Sequence, residues 1–365
     1  MSEVIGDMGK YRNTDIIRAI ALLLVLIYHS WVLSGSSGIV FFPLRLVVSL
    51  GGEIGVTVFF VLSGFGIYCS LDKKEQTYLT FLKRRFWRIA PEYYVFFIFI
   101  LLFTPSAAYL SRSGIKDIVL HLFFIHNIIP KSAGSINGVL WTMAVTIQFY
   151  VIAIPLYKFV KKHPFLTVLT SILFNVFVKY ICFHYLIMEY YVDQPFWYSR
   201  NIFISVVDNF VIGMFVAYLC KNKSIEKSSY CIIGLLSSIL YVFIVMYLGV
   251  KYGIHTDNMS GYLWHSLIAV GIGGIIYSYN MIKISDSNIV TRVLLFLSRY
   301  EYGIYIVHLV MMLNLLNNSE IIKMIQEKSI FCVCLVLIFL AIISGIIYNI
   351  CIDLLRKEIS LKIDK

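Results

Sequence analysis

Arg18 and His29 lie in one apolar run that opens at Ile16. They are eleven positions apart. At 100° per residue that is about three helical turns plus 20°, so both side chains share a face. The helical rise separates them by about 16 Å along the axis. A guanidinium grips oxyanions through paired N–H groups, whereas an imidazole offers one donor and one acceptor. Ionisable groups inside an apolar helix are costly and usually face a bundle interior or a wet cavity. Snorkelling by Arg18 and an interhelical hydrogen bond from His29 would satisfy each residue alone. Both on one face point instead to a functional site. Asn13, Thr14 or Asp15 can cap the start of this helix, and Asp15 is three residues from Arg18, within pairing reach.

A second cluster is Lys83-Arg84-Arg85-Phe86-Trp87-Arg88-Ile89-Ala90-Pro91. It reads either as a topogenic basic cluster, with Pro91 in the first turn of the following helix, or as an anion site. Three arginines at one helix end can hold a polyphosphate or an anionic lipid headgroup. The stretch Gly55-Val56-Thr57-Val58-Phe59-Phe60-Val61-Leu62-Ser63-Gly64-Phe65 is by itself a close-packing motif. His121 and His126 are five apart, which is not the i, i+4 spacing of a helical metal pair, and no metal site is expected there. The seven cysteines form no CxxC pair and are expected to be reduced thiols. Tyr190, Tyr191, Trp197 and Tyr198 are candidates for stacking on a sugar ring.

The elements that must position these groups are membrane helices. Of 365 residues 59% are hydrophobic and 14% charged, and the mean hydropathy is +0.83. A soluble domain carries about 25% charged residues. Ten apolar runs are candidate spans, over residues 15–35, 53–71, 91–104, 139–158, 164–187, 199–219, 230–249, 262–281, 293–316 and 329–352. The segment 116–129 is too short to cross and reads as interfacial or re-entrant. Arg18 and His29 argue that the first run is a retained span, not a cleaved signal peptide. With the N-terminus inside, 20 Lys and Arg residues fall on inner segments and 8 on outer ones. That bias selects N-in and C-in, which an even number of spans requires. The net charge of +11 is then mostly topogenic, and no nucleic-acid partner is expected. The expected fold is an all-α polytopic transmembrane bundle. It has a cytoplasmic segment 1–14, a transmembrane domain 15–352 and a short charged cytoplasmic tail 353–365, with no appended hydrolase-like domain. No internal repeat is visible.

The chain resembles the acyltransferase-3 family of integral membrane acyltransferases. The resemblance rests on Arg18 and His29 with ten residues between them, GVTVFFVLSGF from Gly55, RRFWRIAP from Arg84, LWTMAVTIQFY from Leu140 and YGIYIVHL from Tyr302. It implies transfer of an acyl group, usually acetyl, from cytoplasmic acyl-coenzyme A to a carbohydrate hydroxyl at or beyond the outer face of a bacterial cytoplasmic membrane. Acetyl-CoA would be the donor, with no metal. A surface polysaccharide or its lipid-linked precursor would be the acceptor, with membrane lipid and glycan assembly proteins as partners. Arg18 and His29 match the family's essential pair, and Arg84, Arg85 and Arg88 its basic cluster. A basic mouth at these arginines would hold the coenzyme A phosphates. Its pantetheine arm would run along the first helix, and His29 would take the acceptor's proton. Ser63 and Tyr28 are candidate oxyanion donors. His308 sits in the family-like YIVH context, and His265 is placed similarly; either could instead make an interhelical hydrogen bond. Many members carry acidic residues where this chain has Thr57 and Thr146-Ile147. Glu53, Asp208 and Glu301 are the carboxylates that could replace them beside His29 or Arg18. The same departures leave open a transporter or export component without acyl transfer, or a membrane scaffold for glycan assembly.

Overall fold

The computed structural model describes residues 12–39, 41–103, 111–185, 194–222, 228–282 and 288–363. Among them the chain is helical with no strand. In order the helices are α1 (Arg12–Leu33), α2 (Phe42–Lys73), α3 (Tyr78–Phe103), α4 (Arg112–Leu122) and α5 (Pro130–Ala133). They continue with α6 (Trp141–Lys162), α7 (Pro164–Tyr185), α8 (Gln194–Asn201), α9 (Val207–Asn222), α10 (Ser228–Tyr252) and α11 (Met259–Asn280). The last four are α12 (Ile289–Arg299), α13 (Glu301–Asn318), α14 (Glu320–Lys328) and α15 (Ile330–Ile363). Single helical turns at His126–Ile128 and Phe203–Ser205 join α4 to α5 and α8 to α9.

Eight of these helices are long and apolar enough to cross a membrane, and α12 with α13 would make a ninth. Ten were expected, and the difference lies in the sixth run. The segment over 199–219 breaks into α8, a helical turn and the 16-residue α9. At 1.5 Å per residue α9 is about 24 Å long, short of the roughly 30 Å hydrocarbon core. Asn201, Ser205, Asp208 and Asn209 are buried where the run breaks, and polar groups here turn to the protein interior because lipid would leave them unsatisfied. The ninth run is bent by 75° between α12 and α13. Asn349 donates from Nδ2 to the Tyr300 carbonyl (2.9 Å), satisfying an acceptor at the break.

The third span also differs from its sequence reading. Pro91 is not in a first turn, because α3 begins at Tyr78 and runs through it. The basic cluster is therefore part of the helix itself, with Arg85 and Arg88 one turn apart. The segment 116–129 forms α4 and a helical turn, with Pro130 opening α5.

The central element is α2, which packs most extensively on α1 and α9. Its glycines make this possible. A Cβ on Gly51 would lie 2.7 Å from the Leu24 carbonyl oxygen, and one on Gly55 would lie 2.7 Å from that of Ala21. Backbones at this distance admit no larger residue. At one end of the bundle Asp72 accepts from Lys161 (3.1 Å) and pairs with Lys221, tying together the ends of α2, α6 and α9. These are ends that the charge count assigns to one side.

Candidate active site

Arg18 stands on the second turn of α1. Its Nη1 meets Asp15 at 2.9 Å, and its Nε meets Glu301, the first residue of α13, at 3.1 Å. The break before α13 brings that carboxylate to α1. Nearby on α3, Arg85 is buried with its guanidinium 5.6 Å from the Phe81 ring centre, and its Nε has no hydrogen-bond partner. Arg88 faces the same space. Arg356 reaches it from α15 and is held by Glu92 at 2.9 Å. Arg84 turns away, donating to Ser70 at 2.6 Å, and does not share in the cavity.

These groups line a cavity of about 460 Å³. Ser63 and Thr146 line its walls, and Thr142, Phe59 and Tyr305 line it too. Thr142 donates to the Val139 carbonyl (2.8 Å) and accepts from the Tyr305 hydroxyl at 3.1 Å. Phe59 and Tyr305 meet edge to face, with ring centres 5.5 Å apart. The His29 and His308 rings do not line the cavity, but Tyr305 packs against His308 at 5.6 Å. A strip of arginines is thereby connected to a histidine pair through one tyrosine.

The protonation pattern of the pair follows from its hydrogen bonds. His308 Nδ1 lies 2.6 Å from the Tyr305 carbonyl oxygen. A carbonyl only accepts, so Nδ1 carries the proton and Nε2 the lone pair. His29 Nδ1 lies 3.0 Å from the Val25 carbonyl oxygen and 3.3 Å from His308 Nε2. It donates to both acceptors, which leaves a lone pair on His29 Nε2. Tyr28 packs edge-on against the His29 ring at 5.0 Å and lies against Gly52.

None of the three candidate carboxylates reaches His29. Glu301 is on Arg18. Glu53 meets Arg200 at 2.7 Å, His265 at 3.2 Å and His255 at 3.4 Å. Asp208 accepts from Ser266 at 2.5 Å. The residue against His29 is His308.

The acyltransferase domain family matches residues 11–349. The chain belongs to the acyltransferase-3 family. Among curated relatives of this acyltransferase, the "Putative acetyltransferase ORF330" of Acidianus two-tailed virus is 25% identical over 299 residues, 81% of each chain. The "Acyltransferase MdmB" of Streptomyces mycarofaciens is 31% identical over 119 residues, 31% of this chain and 30% of its own. No solved structure matches the chain significantly.

Where many acyltransferases of this family are acidic, Thr57 donates to the Glu53 carbonyl (2.9 Å) and Thr146 to that of Thr142 (2.8 Å). Both hydroxyls are used inside their own helices. Tyr190 and Tyr191 lie outside the described residues, as does the side chain of Trp197. Tyr198 accepts at its carbonyl from Ser205 Oγ (2.5 Å).

Sequence reasoning missed a second polar group beside the histidines. Arg200, counted as an outer-loop charge, is only one-fifth exposed. Lys179, placed within a span, is fully buried, with Nζ 3.2 Å from the Tyr262 carbonyl oxygen and 3.5 Å from His265 Nδ1. The available signal was a lysine and an aspartate, Lys179 and Asp208, in neighbouring apolar runs. Two such charges in a bundle must find partners.

Proposed function

We propose that this membrane acyltransferase moves an acetyl group from acetyl-CoA onto a hydroxyl of a surface polysaccharide or its lipid-linked precursor. The observation that supports it most is the cavity that carries Arg18, Arg85, Arg88 and Arg356 and is lined also by Tyr305, which packs against His308. The arginines suit the phosphates of coenzyme A through charge-assisted, bidentate hydrogen bonds. The cavity suits the thin pantetheine arm, and the axial distance of about 16 Å from Arg18 to His29 gives its reach. In this reading the charge count puts the basic mouth in the cytoplasm of a bacterial cell and His29 towards the outer face.

The acceptor hydroxyl attacks the thioester carbon while His29 Nε2 takes its proton. The tetrahedral intermediate collapses, the C–S bond breaks, and the protonated His29 returns the proton to the departing thiolate. The products are an O-acetyl ester and free coenzyme A. His308, with the Val25 carbonyl, holds His29 in the tautomer that leaves Nε2 basic, the part a carboxylate plays in other acyl-transfer sites.

The test is purified protein in proteoliposomes, with radiolabelled acetyl-CoA on the basic side and an oligosaccharide acceptor. His29→Ala is expected to lower kcat by about 100-fold or more, the usual worth of a general base. It should leave the melting temperature in detergent intact. Full activity of that variant removes His29 from the mechanism. Acceptor flux without coenzyme A release would indicate transport.

A further inference from the structure

The outer end of the bundle holds charges that the histidine pair and the donor cavity leave unexplained. Arg200, at the end of α8, makes an ion pair through Nε to Glu53 of α2 at 2.7 Å. Its guanidinium lies over the Trp141 ring, 5.2 Å from the centre. No further protein partner meets it among the described residues. A guanidinium has five N–H donors, and one carboxylate takes at most two. The rest are left for a ligand. Trp141 precedes Thr142, which is bonded to Tyr305 on the wall of the donor cavity. The charges of Arg200 and Glu53 both act on His29 and on Tyr28, and Arg200 acts on Tyr305. The unused donors are thus held over Trp141, next in the chain to the Thr142–Tyr305 contact on the wall of the donor cavity, and within electrostatic reach of His29.

The charge balance says which oxygen they serve. Glu53 compensates Arg200, and Asp208 and Lys179 act on each other with opposite sign. Between the pairs His265 is neutral by its contacts: Nδ1 accepts from the Lys179 ammonium and Nε2 donates to Glu53. A permanently anionic ligand would upset this balance, whereas a carbonyl oxygen that is negative only during reaction would not. Such preorganised donors act on charge that develops in the transition state.

We infer that Arg200 is a catalytic residue of this acyltransferase, donating from its free N–H groups to the thioester oxygen as it becomes an oxyanion, with Glu53 and Trp141 as its positioning residues. This rests on the acyl-transfer reading and gives to Arg200 the part that sequence alone offered to Ser63 or Tyr28. Ser63 lines the donor cavity and Tyr28 packs on His29 by its ring edge. Neither brings a cation.

The test is kinetic. Arg200→Ala alone would strand the buried Glu53 charge, so the main variant is the double substitution Arg200→Ala with Glu53→Gln. Its kcat with acetyl-CoA should fall about 100- to 1,000-fold, the worth of an oxyanion donor. The KM for acetyl-CoA should stay within about threefold, because an interaction made only in the transition state does not weaken ground-state binding. Added guanidinium chloride at millimolar concentration should restore at least tenfold of kcat. A kcat within threefold of the parent overturns the assignment, and so does a loss that guanidinium does not rescue. Arg200→Lys keeps the ion pair and serves if the double variant does not fold: at least a tenfold loss of kcat at unchanged melting temperature supports the role, and no loss overturns it. His29→Ala is assayed alongside. Full activity there removes the base reading itself, whereas an inactive His29→Ala beside an active double variant removes Arg200 alone.

Discussion

Two acceptors, the Val25 carbonyl and His308 Nε2, fix the tautomer of His29, and a defined loss follows from removing the second. His308 is fully buried, and its Nε2 is the acceptor for the His29 Nδ1 proton, which Val25 also accepts. In His308→Phe the Val25 carbonyl alone fixes the ring. The expected result is a fall in kcat of about tenfold, well short of the 100-fold or more expected for His29→Ala. Combining the two should cost little more than His29→Ala alone, because residues acting as a unit are not additive. Steady-state kinetics of the three variants on one acceptor checks this. On the proposed reading Arg85 and Arg88 serve donor binding, a different step. Replacing either by Gln removes a charge-assisted hydrogen bond worth about 1.5–3 kcal/mol. The KM for acetyl-CoA should rise about tenfold while kcat changes far less, and isothermal titration with coenzyme A should show the same loss.

Among the elements, α4 and the helical turn after it carry a titration of their own. His121 and His126 stack with ring centres 3.8 Å apart, and both are fully buried. Burial lowers His121 to about 4, and burial with the neighbouring ring lowers His126 to about 3. In the unfolded chain both take up protons near pH 6.5. Below that pH the unfolded state binds more protons than the folded one, so stability falls on acidification from about 6.5 towards 4 and is full above it. The steepest slope is about 1.4 kcal/mol per pH unit for each histidine. Melting temperature measured in detergent between pH 7 and 4.5 should therefore drop, and His126→Phe should flatten the drop. An identical slope in that variant would place the titration elsewhere. Broken helices matter in the same way. The bend before α13 delivers Glu301 to Arg18, and the break before α9 puts Asp208 inside the bundle.

For the whole molecule, the legible part of the sequence was what lipid enforces. Apolar length located nearly every helix long enough to span, because a span must be long and apolar whatever surrounds it. The five short motifs that carry the resemblance lie in the family match over residues 11–349. Helical periodicity set Arg18 and His29 on one face without any structure. What could not be read was which helices meet. The partner of His29 lies 279 positions away on α13, and the partner of Arg200 lies on α2. Such pairs are products of packing, and no local pattern encodes them. Arg200 looked like a loop charge because hydropathy cannot tell a surface helix from one folded over a site. The sixth and ninth runs misled for the reason that makes them useful. Polar groups in them find partners on other helices, Asp208 on Ser266 and the Tyr300 carbonyl on Asn349, so a run that reads as continuous is free to break.

The edge-to-face contact of Phe59 and Tyr305 has a consequence for the cell that houses this protein. A continuous watery passage from the arginine-lined mouth to the far side of the bundle would leak protons and small ions and discharge the membrane. Phe59 and Tyr305 line the cavity on the side where Tyr305 meets His308. On the proposed reading they would act as electrical insulation around a wire hole: a thin uncharged arm would part them and be gripped on all sides, whereas a hydrated ion would have to shed its water to enter. Group transfer through such a plug would move chemical potential across the protein without spending the gradient beside it.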